Sequence, residues 1–230
     1  MPKIIGLGAV IIGGAAVVTL AGTALAHSTS QPPAVVATVQ GTANTPQGTL
    51  PHAFLKLATW PDSMGTDAHG ANGGQHPDWV TYTPSTTLQV PQHALVTVTI
   101  TQYDGGERIT NPYFAKVHGT VGGVATEDGK TITSINPDEV GHTFTLHMFP
   151  MAQQDNLFVS VPLHADPDDA PTDPNTGYPT NPHVISFSFI TGGPGRYVFQ
   201  CEFPCGDGYY AKFGGPMSTQ SYMEGTVAVV

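Results

Sequence analysis

The strongest chemistry in this 230-residue chain lies in two thiols four positions apart, Cys201 and Cys205. A strand reaching Cys201 and a three-residue turn bring the second sulfur back beside the first. A thioether, Met223, then precedes the last strand. Thiolates and thioethers are soft ligands that select copper, zinc or iron–sulfur clusters. Upstream, Gly141-His142-Thr143-Phe144 opens another strand with an imidazole at its loop end. A sandwich brings such strand ends to a common pole, so His142 and the cysteine turn can converge there.

The elements that must do this positioning are strands. Ala94 to Tyr103 carries Val96, Val98 and Ile100 with threonine between them, the period-two alternation of a half-buried strand. Further strands are expected at Ala53 to Trp60, Trp79 to Thr83, Thr86 to Val90, Tyr113 to Val117, Thr131 to Ile135 and Val140 to Met148. Leu157 to Val161, Val184 to Ile190, Tyr197 to Phe203 and Gly225 to Val230 complete the set. Twenty-seven glycines and 21 prolines suit many turns. No window after Ala26 keeps a helical apolar period for three turns, so an all-β antiparallel sandwich or barrel is expected.

On these residues the chain resembles the cupredoxin superfamily, and within it the binuclear copper A domain of cytochrome c oxidase subunit II. Pro194-Gly195-Arg196-Tyr197 matches that family's approach to the metal loop. Cys201 and Cys205 match its two thiolates, His142-Thr143-Phe144 its first imidazole, and Met223-Glu224-Gly225-Thr226-Val227 its axial methionine and closing strand. The resemblance spans Thr86 to Val230. It implies a cupredoxin-like Greek-key β-sandwich that binds copper and relays single electrons in a respiratory chain. Its implied ligands are His142, Cys201, Cys205 and Met223; Glu202 and Met217, which the family pattern does not supply, are added as candidate ligands beside them. Glu202 directly follows the first cysteine; the family's glutamate stands one residue later and ligates through its backbone carbonyl, at the position of Phe203.

The chain departs from the pattern where the second histidine should stand, because that position is Tyr209 and no histidine follows His183. An inserted stretch, Tyr209 to Tyr222, also separates Cys205 from Met223, and its Met217 offers another thioether. Without the second imidazole one copper of a binuclear centre lacks a nitrogen ligand. An altered or mononuclear copper site, an intact binuclear centre and a copper-free scaffold in which Cys201 and Cys205 form a disulfide or stay as buried thiols therefore all stay open. The last would be a structural or accessory subunit of a membrane or cell-surface complex. A Cu(I) chaperone using methionine and cysteine is a further possibility.

Residues 1–26 set the compartment. Ile4 to Ala26 is an uncharged apolar run behind a lone Lys3, long enough to cross a bilayer, which takes about 20 residues. It ends in Ala24-Leu25-Ala26, the form of a signal-peptidase site, so the helix is either a retained anchor or a cleaved signal. Either way the remainder lies on the extracytoplasmic side: a linker over 27–50 with one possible strand at Ala34 to Val39, then the domain over 51–230. Cleavage would free His27 as an N-terminal copper chelator. Charged residues are 10% of the chain, and 7 Lys plus Arg against 17 Asp plus Glu give a net charge of −10. A nucleic-acid partner is excluded by that balance; a membrane and a basic redox partner or oxidase complex suit it.

Other candidates are weaker. His147 lies an odd number of residues past His142, on the opposite strand face, and reads as a surface histidine. His164 to Gly177 clusters carboxylates that invite calcium but lacks an EF-hand's glycine and distal glutamate, so it reads as a solvated insertion. His52, His69 and His76 read as surface histidines, and Trp60 and Trp79 as packing residues. No hydrolase or nucleotide-binding motif is present.

Overall fold

The computed structural model describes residues 33–63, 76, 78–106, 110–149, 154–203, 205 and 215–230. Among them the regular elements are strands, with three short 3-10 turns at 121–123, 137–139 and 215–218. No helix among the described residues is long and apolar enough to cross a membrane. The apolar run 4–26, His27 and His69 lie outside the described residues.

The strands are β1 (Val35–Val36), β2 (Thr38–Thr45), β3 (Gly48–Trp60), β4 (Thr81–Thr83), β5 (Thr87–Val90), β6 (Leu95–Gln102) and β7 (Ala125–Glu127). Then follow β8 (Lys130–Ile132), β9 (Val140–Met148), β10 (Phe158–His164), β11 (His183–Ile190), β12 (Gly195–Gln200) and β13 (Glu224–Val229). One sheet runs β1-β5-β13-β12-β9-β10. The other runs β2-β3-β6-β11-β7-β8, with β4 paired to β3. The alternation in β6 works as the sequence implies: Val96, Val98 and Ile100 are fully buried, while Thr97 and Thr99 point outward to hydroxyls of Ser188 and Ser186. Between the sheets lie Tyr82, Phe144, Phe187 and Phe199, with ring centroids 4.8–5.1 Å apart along the chain of contacts.

The structure corrects the sequence reading at several points. Residues 35–50, read as linker from their polar composition, form β1, β2 and the start of β3. β2 is almost wholly exposed, which is why it looks like a connecting segment. The pairing is not purely antiparallel, since β1–β5, β5–β13 and β3–β6 run parallel. Residues 113–117 make turns and a single bridge from Lys116 to Ser134 rather than a strand.

Gly225 permits one of the parallel pairings. A Cβ there would stand 1.9 Å from the Thr86 backbone oxygen, which accepts the Thr226 N–H at 3.0 Å. Gly225→Ala is therefore expected to destabilise the domain by about 2–3 kcal/mol through overpacking against backbone. A urea midpoint unchanged from wild type would contradict this close approach.

Candidate metal centre

Antiparallel register builds the pole. Gln200, the last residue of β12, stands opposite Thr145 of β9 on one side and Glu224 of β13 on the other. The end of β12 therefore adjoins the starts of both neighbours, so Cys201 lies beside the His142-Thr143 segment and beside Met223. Specific bonds fix the junction. The Cys201 N–H donates to the Met223 carbonyl at 2.9 Å, and the Glu202 N–H donates to Thr143 Oγ1 at 2.8 Å.

The ligand atoms of His142, Cys201 and Cys205 all lie within 4.8 Å of one another. The three residues are 0–1% exposed. Cys201 Sγ is 3.8 Å from His142 Nδ1, 3.4 Å from the Phe203 carbonyl oxygen, and accepts the Thr143 N–H at 3.4 Å. A metal with bonds of about 2.3 Å to sulfur and 2.0–2.1 Å to nitrogen holds those donors about 3.5–3.8 Å apart between tetrahedral and trigonal angles. The His142–Cys201 separation fits, and the two sulfurs and one imidazole form a soft donor set of the kind copper takes. Both cysteines are free.

A residue absent from the sequence reading completes the geometry. Asp104, just beyond β6 in the opposite sheet, accepts from His142 Nε2 at 2.5 Å. This carboxylate occupies one ring nitrogen and turns Nδ1 toward the sulfurs, the outer-shell arrangement that metal-binding histidines use. Asp104 is itself held: its carboxylate accepts backbone N–H groups of Gly105 and Gly106. Gly106 has φ +65°, and a Cβ there would meet Gly141 at 2.5 Å, so this loop and the start of β9 touch through glycine alone. Asp104→Asn is expected to weaken metal affinity by about 10–100-fold without unfolding the domain. Chelator competition measures this, and an unchanged affinity would remove Asp104 from the site.

The electrostatics follow from burial and contact. Burial alone would pull His142 down, but its hydrogen bonds with Asp104 and Cys201 outweigh it and hold the imidazolium up to about 10. Burial likewise pushes the Cys201 thiol up, yet a hydrogen bond from Cys205 and the His142 cation bring it well below the ordinary thiol range. Cys205, which donates that hydrogen bond beside a thiolate, is held well above it. Tyr82 closes the wall behind the sulfurs. Its hydroxyl donates to the Thr143 carbonyl at 3.1 Å, and burial and the neighbouring sulfurs keep the phenol neutral.

The remaining sequence candidates divide. Met223 is fully buried and Met217 partly so, both packed with the core. Their backbones brace the loop, with Gln200 Nε2 donating to the Met217 carbonyl and the Met223 N–H to that of Pro216. The Glu202 carboxylate is a correction: it lies outside the donor cluster, 3.5 Å from His147 Nε2. Extended neighbours point to opposite faces, so a core-facing Cys201 sends Glu202 outward. His147 shares that outer face. Tyr209, where the second histidine was sought, lies outside the described residues. Of the weaker candidates, His52 bonds Thr97 Oγ1 at 2.8 Å, His76 stacks on Trp79, and Trp60 and Trp79 are buried packing residues.

No protein-family model matches the chain, and no curated protein matches it. Solved structures align over most of its length at low identity. Auracyanin B is 14% identical over 84% of this chain and 98% of its own, with a TM-score of 0.34. Reduced rusticyanin is 11% identical over 90% and 93%, with a TM-score of 0.36. A multicopper oxidase is 11% identical over 78% and 44%, with a TM-score of 0.26.

Proposed function

We propose that this domain holds one copper ion through His142 Nδ1 and the sulfurs of Cys201 and Cys205, and serves as a one-electron relay. The observation that carries this is the meeting of two sulfurs and an oriented imidazole within 4.8 Å in a site closed to water. When bound there, copper supplies a one-electron couple between its two common oxidation states. The chain's own residues do the rest. Asp104 fixes the ring, the Thr143 N–H and the Phe203 carbonyl flank Cys201, and the packed Tyr82, Phe144 and Phe199 keep the donors from rearranging.

Copper added to the reduced full-length protein should produce an intense visible thiolate-to-copper band at one equivalent. A protein that stays colourless and retains no copper on desalting would overturn the assignment in favour of the metal-free scaffold. Tight Cu(I) binding without colour on oxidation would instead mark a chaperone.

Proton release gives a separate prediction. Asp104 and Cys201 hold the His142 proton on, and the neighbouring Cys201 sulfur holds the Cys205 proton on. Ligation requires both to leave, so metal binding should release protons and apparent affinity should rise with pH; an affinity flat in pH would contradict this. Titration calorimetry in buffers of different ionisation heat counts the protons.

The finer reading is an extracytoplasmic, membrane-anchored relay resembling oxidase subunit II and docking a basic redox partner. It is supported by the apolar run 4–26, the net charge of −10 and the motif residues 194–197, 201–205 and 223–227. Membrane fractionation of the native protein and the mass of its N-terminus test the anchor. A soluble chain beginning at His27 would exclude it.

A further inference from the structure

Away from the thiolate pole, the end of β10, the start of β11 and the turn between β7 and β8 meet around two imidazoles. His164 and His183 stack with ring centroids 5.0 Å and planes 16° apart. Four carboxylates surround them. His164 Nδ1 lies 3.2 Å from Glu127, and its Nε2 lies 3.2 Å from Glu139. His183 Nδ1 lies 2.9 Å from Asp128 and 3.9 Å from Glu127, and its Nε2 lies 3.8 Å from Asp166. Asp138 and Asp168 line the adjoining cleft, and Asp104 stands behind Asp166, whose N–H donates to the Asp104 carbonyl at 3.1 Å. Among the described residues every ion pair of Glu127, Asp128, Glu139 and Asp166 runs to one of the two imidazoles. Lys130, opposite Glu127 in the β7–β8 ladder, contributes none.

Asp166 is the anomaly. It is 6% exposed, and its Oδ2 is buried with no hydrogen-bond partner. A buried carboxylate oxygen without a donor carries an uncompensated desolvation cost, which protonation relieves by removing the charge. Burial pushes Asp166 up to about 6; His183 and His164 oppose the rise, and Asp104 and Asp128 add to it. His164 moves the same way. Its bonds to Glu127 and Glu139 outweigh burial and keep its proton on above the usual imidazole value.

We propose that this cluster is a proton-operated clamp, locking the β7–β8 turn and the 137–139 turn onto the ends of β10 and β11 in mildly acid medium and slackening towards neutral pH. Backbone bonds show what is clamped. The Asp128 N–H donates to the Val184 carbonyl at 2.9 Å, the Val184 N–H to the Asp128 carboxylate at 2.8 Å, and the Ala165 N–H to the Glu139 carbonyl at 2.8 Å. With the imidazoles neutral, the four carboxylates share this space with no cation between them.

Both Asp166 and His164 bind their protons more tightly in the folded chain than in the unfolded one. The Asp166 contribution is complete below the ordinary aspartate value of about 3.9 and is lost as pH rises through about 6. The His164 contribution is complete below about 6.5 and is lost as pH rises through its higher folded value. Asp128 works in the opposite sense and lower down. Burial opposes the shift, but the Val184 N–H and His183 hold it low, so its contribution is lost only as pH falls below the ordinary aspartate range.

The test compares urea unfolding of full-length wild type and Asp166→Asn between about pH 4 and about pH 7, the range over which Asp166 changes charge. Asparagine copies the shape of the protonated carboxyl and cannot ionise. The gap between the two midpoints should therefore open in favour of Asp166→Asn as pH rises, and titration of His142, common to both proteins, cancels in the comparison. In wild type the NMR ring signals of His164 should titrate above the ordinary imidazole value, and Glu127→Gln should bring that midpoint down. The wild-type ring titration stands even if a variant folds poorly, and neither measurement needs a bound metal. A midpoint gap that is constant across the range, or a His164 ring that titrates as a solvated imidazole does, would overturn the proposal.

Discussion

Cys201→Ser should strip the Cys201 component from the thiolate-to-copper band, leaving at most a weaker one from Cys205, and lower copper affinity by more than the 10–100-fold that loss of an orienting group costs. The reason is positional. Cys201 Sγ is the hub of the site, in contact with His142 Nδ1, the Cys205 thiol, the Thr143 N–H and the Phe203 carbonyl. A serine hydroxyl is shorter, harder and far less acidic, so it offers neither the soft donor nor the charge. His147→Ala is the control, on β9 beside the strand end that carries His142. Its ring lies on the outer face near Glu202, and its loss should leave both colour and affinity intact. If the two variants behave alike in absorption and copper retention, the pole has been assigned to the wrong face of β9.

Phe199→Ala should cost about 3–5 kcal/mol of unfolding free energy, because a fully buried ring leaves a cavity that strands on both sides cannot close. Phe199 packs edge-on to Tyr82 at 4.8 Å and against Phe144 at 4.9 Å, two residues before Cys201. The same truncation should therefore loosen Tyr82 behind the sulfurs and weaken copper retention as a second effect. Phe158→Ala, at a ring 37% exposed, should cost less than about 1 kcal/mol. Denaturant unfolding of the two variants side by side decides this. Equal midpoints would mean that Phe199 is not part of the packed wall.

Much of this was legible in the sequence, for identifiable reasons. Val140–Met148 emerges with the bounds expected of it, because its apolar and β-branched residues sit between turn-forming neighbours. Cys201, Cys205 and His142 announce themselves by residue type, and antiparallel strands leave few places for such strand ends to go. Asp104 was not legible. An aspartate before two glycines looks like an ordinary turn, and its role depends on a partner 38 positions away in the other sheet. Tyr82 is hidden for the same reason, as a tyrosine in a three-residue strand whose hydroxyl reaches β9. The stacking of His164 on His183 needs the end of β10 to meet the start of β11, and only the folded chain shows it. Glu202 was misjudged from a motif although strand alternation alone sends it outward, and residues 35–50 were misjudged because edge strands carry the polar composition of linkers.

The position of β13 has a consequence for assembly. Residues 224–229 fill a slot between β5 and β12, so the first sheet stays in two halves until Val229 exists to join them. Met223, at the entry to β13, supplies the carbonyl that pins the Cys201 amide. If the site takes a metal as proposed, an ordered cradle for it therefore requires β13 to be in place.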